Sequence, residues 1–354
     1  MFKTLLVVTA VVAAILLSIG LRAQPSTVRG DWTADTRHTW TDDDGEPRVQ
    51  VSLRSSAGDS HWGLGVRLKD LVGLPSSAVS TVATNVQFSW TRDAGVFRFT
   101  GSFDAGRGAG TYTFVADPAF VLGMAALGYH ALSTDDIVRL AVIDVTRAFA
   151  GGIAQAGYSS LALDDLVRFR IHGVTPETIR GLAALGYKGV DAEDLVRMAI
   201  HGATAANVKA LQDAGLDGQT VEDLIRFRIH GVTPKFVRAI EARGYKGLVA
   251  DDYVKMRIHQ VTPEEMDQWK ALGFGGLGVE ELVRFRIHQV TPDYIRSMRD
   301  VGYVALSEEQ LVRLRIHGVD ATFVRHARAD GYALPSPGDA VDLAIHGPRL
   351  RKRS

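Results

Sequence analysis

Residues 163–177 read Leu163-Asp164-Asp165-Leu166-Val167-Arg168-Phe169-Arg170-Ile171-His172-Gly173-Val174-Thr175-Pro176-Glu177. The phrase returns, with changes, every 29 residues. His172, His201, His230, His259, His288, His317 and His346 keep the step, and Ile143 holds the same column one unit earlier. A Gly-aromatic pair keeps it too: Gly128-Tyr129, Gly157-Tyr158, Gly186-Tyr187, Gly244-Tyr245, Gly302-Tyr303 and Gly331-Tyr332. Gly215-Leu216 and Gly273-Phe274 are its variants. A period of this length marks an array of stacked supersecondary units.

Each unit decodes as two short helices. Ser133, Asp191, Thr220, Ser307 and Ser336 stand where a first helix needs an N-cap. Three residues on come Asp136, Asp194, Asp223, Gln310 and Asp339, a capping-box pattern. The second helix opens on Asp117, Thr146, Thr175, Thr204, Thr233, Thr262, Thr291 or Asp320. Pro118, Pro176, Pro234, Pro263 and Pro292 follow at the first helical position, where a missing N–H costs nothing. The glycine before the aromatic predicts a left-handed end to this second helix. Leu166, Val167 and Ile171 read as the apolar stripe of the first helix; Ile179, Leu182 and Leu185 read as that of the second. Helices this short do not stand alone, so neighbouring units must complete the core.

Outside the array the texture changes. Val49–Arg54, Val86–Trp90, Val96–Phe99 and Thr111–Phe114 alternate apolar and polar residues, as half-buried antiparallel strands do. Arg92-Asp93-Ala94-Gly95 and Asp104-Ala105-Gly106 read as turns. Gly106-Arg107-Gly108-Ala109-Gly110 lacks the Lys-Ser/Thr ending of a phosphate loop and precedes a strand, so it too reads as turn or bulge. Asp42-Asp43-Asp44-Gly45 lacks calcium-loop spacing and reads as a hairpin turn. The expected fold class is α+β in two domains. A small antiparallel β domain occupies residues 30–116, an α-helical solenoid of 29-residue two-helix repeats residues 117–347, and a basic tail residues 348–354.

The first residues look like an address. Lys3 precedes an apolar run from Leu5 to Leu17, then Ser18, Gly20 and Ala23. That pattern predicts a signal peptide over residues 1–23, with an uncleaved membrane anchor through residues 4–21 as the rival reading. Either way the rest of the chain is expected outside the cytoplasm, periplasmic or extracellular. The 354-residue chain carries no net charge and no cysteine. Nucleic acid is therefore not an expected partner, and disulfides and thiolate chemistry are excluded.

Two columns are candidates for recognition. Arg170, Arg228, Arg257, Arg286 and Arg315 fall between the apolar positions of the first helix on a helical wheel. Inward packing, capping a neighbouring helix or pairing with an acid, is one reading; an anion-binding groove is the other. His172, His230, His259, His288 and His317 end the same helices, where imidazole suits the dipole and the last carbonyls. Histidines one repeat apart stand too far from each other for the ladder to close one metal site, and neither metal nor cofactor is expected. A further basic column, Arg139, Arg168, Arg197, Arg226 and Lys255, follows an acid by four residues, which predicts ion pairs within each helix. No His-Glu-x-x-His, Gly-x-Ser-x-Gly or P-loop motif occurs, so no catalytic site is expected.

Phe169-Arg170-Ile171-His172-Gly173-Val174-Thr175-Pro176-Glu177, Leu185-Gly186-Tyr187, and Arg92-Asp93-Ala94-Gly95 followed by Asp117-Pro118-Ala119-Phe120 resemble known sequences. They are similar to extracytoplasmic repeat regions of bacterial proteins related to beta-lactam-sensor-type membrane metallopeptidases and anti-sigma factors. The resemblance spans about residues 30–346 and implies a sensor or binding module in the cell envelope. The peptidase motif is absent, so no peptidase activity comes with it. The expected partner is a protein, peptide or envelope polymer. An architectural spacer is the alternative, and a hydrolase with an unrecognised site a third.

Overall fold

A computed structural model describes residues 27–41, 45–56, 60–74 and 83–347. The expected signal peptide, the Asp42–Asp44 turn and the basic tail lie outside the described residues.

The fold is α+β: an antiparallel sheet followed by a series of helices in two-helix repeats. The strands are β1 (Thr27–Thr41), β2 (Pro47–Ser55), β3 (His61–Arg67), β4 (Leu71–Val72), β5 (Thr84–Arg92), β6 (Gly95–Asp104) and β7 (Arg107–Ala116). They form one seven-stranded sheet in the order β3-β2-β1-β7-β6-β5-β4. The alternations around Val49, Val86, Val96 and Thr111 identify β2, β5, β6 and β7. The long central strand β1 escapes them, although its residues alternate in burial. Its inward positions are Val28, Gly30, Trp32, Ala34 and Thr36, too weakly apolar to show the period.

Aromatic rings fill the sheet's buried face. Trp32 meets Phe88 edge-on at 5.3 Å and Phe99 at 5.9 Å between centroids. Phe88 and Phe99, cross-strand partners, stack at 4.5 Å. Gly108 makes room for them, since a Cβ there would lie 2.5 Å from Phe103 and 2.7 Å from Trp32. The Tyr112 hydroxyl is buried with no partner among the described residues, and burial pushes its pKa up to about 12.

The helices begin with α1 (Pro118–Ala126), α2 (Thr134–Ile143), α3 (Arg147–Gln155), α4 (Leu163–His172), α5 (Pro176–Ala184), α6 (Ala192–His201), α7 (Ala205–Gln212) and α8 (Val221–His230). They continue with α9 (Pro234–Glu241), α10 (Ala250–Ile258), α11 (Pro263–Ala271), α12 (Val279–Ile287), α13 (Pro292–Asp300), α14 (Glu308–Ile316), α15 (Ala321–Ala329) and α16 (Pro337–His346). Even-numbered helices are the first of each repeat and odd-numbered helices the second. Ser133, Thr220, Ser307 and Ser336 close capping boxes with Asp136, Asp223, Gln310 and Asp339. Thr146, Thr233 and Thr291 cap second helices from their hydroxyls.

The helix ends hold a surprise. Second helices do end on the expected glycines; Gly128, Gly186 and Gly244 have φ of 97°, 100° and 96°. First helices end the same way. Asp144, Gly173, Gly202, Gly231, Gln260, Gln289 and Gly318 all have positive φ. The next residue donates back five positions, as in Val174 to Phe169 and Val261 to Met256, both at 2.8 Å. That backbone bond defines a Schellman ending.

The described chain forms two compact units that part inside the repeats. One runs to Ala183 and includes Asp191–Val196; the other comprises Ala184–Val190 and the chain from Arg197 on. In the first unit α2 packs on β1 and β7, α1 on α3, and α2 on α4. The β5–β6 turn also holds α3: Asp93 accepts from the Arg147 backbone N–H at 2.7 Å and from its guanidinium at 2.6 Å. These hydrogen bonds from Arg147 hold the Asp93 carboxyl below its usual range. In the second unit α8, α10, α12, α14 and α16 each pack on the next, and α7, α9, α11, α13 and α15 do likewise. Two parallel rows of helices result, one of each kind.

Candidate functional site

The arginine column reaches back to the unit before it. In the second unit the Nε of Arg228, Arg257, Arg286 and Arg315 donates to the carbonyl of His201, His230, His259 and His288, at 3.2, 3.4, 3.2 and 3.1 Å. Those carbonyls sit at helix C-termini, where no intrahelical N–H is left for them. The planar guanidinium also packs on a ring of the preceding second helix: Arg257 lies 5.1 Å from the Phe236 centroid and Arg315 4.8 Å from that of Tyr294. Arg286 adds an ion pair to Glu265 at 2.7 Å. In the first unit Arg170 grips Asp144, with Nε on the carbonyl at 2.9 Å and Nη2 on the carboxylate at 2.6 Å. Every member of the column thus spends a donor on a helix end.

The histidines play a different part from the one their position suggests. His172, His230, His259, His288 and His317 stand at the helix ends, but among the described residues their imidazoles make no hydrogen bond to the last carbonyls. Arginine of the next repeat takes the carbonyl of His230, His259 and His288 instead, whereas the repeats after His172 and His317 carry Ala199 and Ala344 in that column. The Schellman turn satisfies the carbonyl five positions back, so little is left for a side chain of the same helix to cap. His172 and His317 are exposed, and His230, His259 and His288 are half-exposed.

Ile171 is the clearest correction. It does not belong to the buried stripe, being 58% exposed. Leu166, Val167 and Phe169 are the buried residues of that helix. Ile171 lies five residues past Leu166, about 140° around the wheel at ~100° per residue, which carries it off the packed face. Its counterparts behave alike: Ile200, Ile229, Ile258, Ile287, Ile316 and Ile345 are between 47% and 57% exposed. In the second unit Ile229, Ile258, Ile287, Ile316 and Ile345 occupy matching positions on first helices packed side by side, so they form an apolar row. Its signal in the sequence was the invariant place of isoleucine just before the histidine column.

The remaining polar columns knit repeat to repeat. Arg139 pairs with Asp164 at 2.5 Å, Arg168 with Glu193 at 2.7 Å, Arg197 with Glu222 at 2.7 Å, and Arg226 with Asp251 at 2.7 Å. Lys255 pairs with Glu280. The acid comes from the expected column but from the following repeat; within their own helices Arg168 and Arg226 also pair, three residues back, with Asp165 at 3.3 Å and Asp223 at 3.5 Å. Tyr187 and Tyr245 donate forward, to the carbonyls of Gln219 and Leu277 at 2.9 and 2.6 Å. Burial raises the pKa of both hydroxyls. Among the described residues no three His, Asp or Glu side chains gather as a metal-binding group, and no helix is long and apolar enough to cross a membrane. The chain matches no model of a known protein family, and no curated protein matches it.

Proposed function

We propose that this is an exported, non-catalytic binding module of the bacterial cell envelope, and that its helical repeats recognise a protein or peptide. The carrying observation is the row of half-exposed isoleucines on the second unit. Arginines, tyrosines and the acid–base ladder all have structural employment between repeats. The isoleucines have none: they lie off the packed face and outside the Schellman turns. A recurring exposed apolar side chain is what a partner's apolar side chains would need. Exposed histidines beside this row give the surface a polar margin. The cross-repeat caps and ion pairs suit the spacer reading equally well; the exposed isoleucines are what favours recognition.

The test replaces Ile229, Ile258 and Ile287 by Ser in the full chain. Half-exposed positions of this kind change stability by about 0.5 kcal/mol or less each. Immobilised wild-type chain should retain a defined envelope protein that the triple variant, still folded, releases. Equal retention by both would take the binding surface away from the isoleucines, and retention of nothing by either would favour the spacer.

A further inference from the structure

The ladder of ion pairs between repeats begins with a spare acid. Asp164, Glu193, Glu222, Asp251 and Glu280 are each met by a base 25 residues earlier in the chain. Asp135, the first acid of that column, has Gly110 of β7 at the same distance instead. Its carboxylate makes no ion pair or hydrogen bond among the described residues. It stands in the first turn of α2 and borders a hollow of about 660 Å³ in the first unit. That size suits a small molecule. Arg29, on the exposed face of β1, borders the same hollow with the opposite charge. Its guanidinium pairs neither with Asp135 nor with Asp31, two residues on along the same face. One base and one acid thus share a hollow without meeting, and the hydroxyls of Ser56 and Thr134 border it beside them.

A second observation comes from the sheet behind. Tyr112 of β7 lies on the buried face, the side on which α2 packs. It is 1% exposed, and its hydroxyl has no partner among the described residues. Burial first, and then the charges of Asp135 and Asp31, push its pKa up to about 12. The hydroxyl is therefore near enough to Asp135 to feel its charge, yet not bonded to it. A buried polar group without a partner is uncommon in folded proteins and calls for a reason. A polar ligand held beside Asp135 supplies one. Val28, 6% exposed, adds an apolar stretch to the wall.

We propose that this hollow binds a small zwitterion of the amino-acid type, its carboxylate on the Arg29 guanidinium, its ammonium on the Asp135 carboxylate, and the Tyr112 hydroxyl a further partner. The opposed charges set the ligand class. A lone anion meets the repulsion of Asp135 and a lone cation that of Arg29, whereas a molecule bearing both signs satisfies both. The site is independent of the isoleucine row.

Calorimetric titration of the full chain tests it. The probes are L-leucine and the dipeptide leucylglycine, with acetate and methylammonium as single-charge controls. One zwitterion should bind with a stoichiometry of one and weaken in salt. Leucine ahead places the two charges on one carbon; leucylglycine ahead sets them a peptide unit apart. Each control should bind roughly tenfold more weakly or worse, the scale of one charged hydrogen bond. Arg29→Gln and Asp135→Asn should each cost roughly tenfold in affinity for the same reason. Both positions are exposed, so both variants should melt close to the wild type without ligand. Tyr112→Phe should weaken binding less, and without ligand it should melt no lower than the wild type, because no hydrogen bond is lost. Absence of binding at millimolar probe, a single-charge control binding as tightly as the zwitterions, or affinity that Arg29→Gln and Asp135→Asn leave unchanged overturns the proposal.

Discussion

The sheet and the second unit hold together in opposite ways. In the sheet, contacts join residues far apart in the chain: Trp32 touches Phe88 and Phe99, and Gly30 pairs across β7 with Tyr112. In the second unit the side-chain contacts between repeats reach about one repeat and stop. Arg257 reaches 27 residues back, Arg226 reaches 25 forward, and Tyr245 reaches 32 forward. The first pattern makes a single cooperative core, the second a chain of nearest-neighbour junctions. Damage should therefore spread through the sheet but stay local in the array.

The largest effect tests the sheet. Trp32 is 1% exposed at the centre of the aromatic cluster. Trp32→Ala should cost ~3–5 kcal/mol, from lost burial and the cavity left behind. Hydrogen exchange should show β1, β2, β5, β6 and β7 losing protection together, while helices α8 to α16 keep theirs. Loss confined to β1 would break the comparison.

A middle-sized effect tests the array. Gly231 ends α8 with φ of 71°, and an added Cβ would lie 3.1 Å from Arg257 Nη2. Gly231→Val should cost about 2 kcal/mol, since a β-branched residue resists this conformation and the side chain crowds the capping arginine. Gly231→Gln should cost about half as much, because Gln260 and Gln289 already hold the same position with φ of 57° and 55°. Protection should fall around residues 221–260 and persist near α14 and α16. Even loss across the second unit would contradict nearest-neighbour stability.

The same contrast explains what was legible in the sequence. Caps and glycine turns are local, so Ser133 with Asp136 and Gly186 with Tyr187 declare themselves within a few residues. The array's partners were half legible. A column of acids spaced 29 residues apart offers each arginine two candidates, one in its own helix and one in the next repeat. Only the packing of neighbouring helices picks the second. Ile171 was misplaced because a five-residue step from Leu166 resembles a continuation of the stripe until the angle is worked out. The clasp between sheet and helix was illegible for the sheet's reason: Asp93 comes from a strand turn and Arg147 from a helix start, and no spacing announces that they meet.

The smallest effect compares one column in the two regions. Arg257 and Arg170 hold equivalent places, but their duties differ. Arg257 gives a long hydrogen bond of 3.4 Å to the His230 carbonyl and lies over Phe236. Arg170 has a shorter bond to the Asp144 carbonyl, 2.9 Å, and an ion pair to its carboxylate. Both partners of that ion pair are more than a third exposed, so solvent screening limits it to well under ~1 kcal/mol. Arg257→Ala should therefore cost about 0.5 kcal/mol, consistent with Ala141, Ala199 and Ala344 standing in this column. Arg170→Ala should cost a few tenths more, a difference readable as a small gap between melting temperatures in the same buffer. The gap should close at 0.5 M salt, about where screening removes most of an exposed ion pair, leaving the two carbonyl bonds to compare. A gap that salt leaves intact would place the difference in packing over Phe149, where the Arg170 guanidinium lies 5.6 Å from the ring centroid, and not in the charge of Asp144.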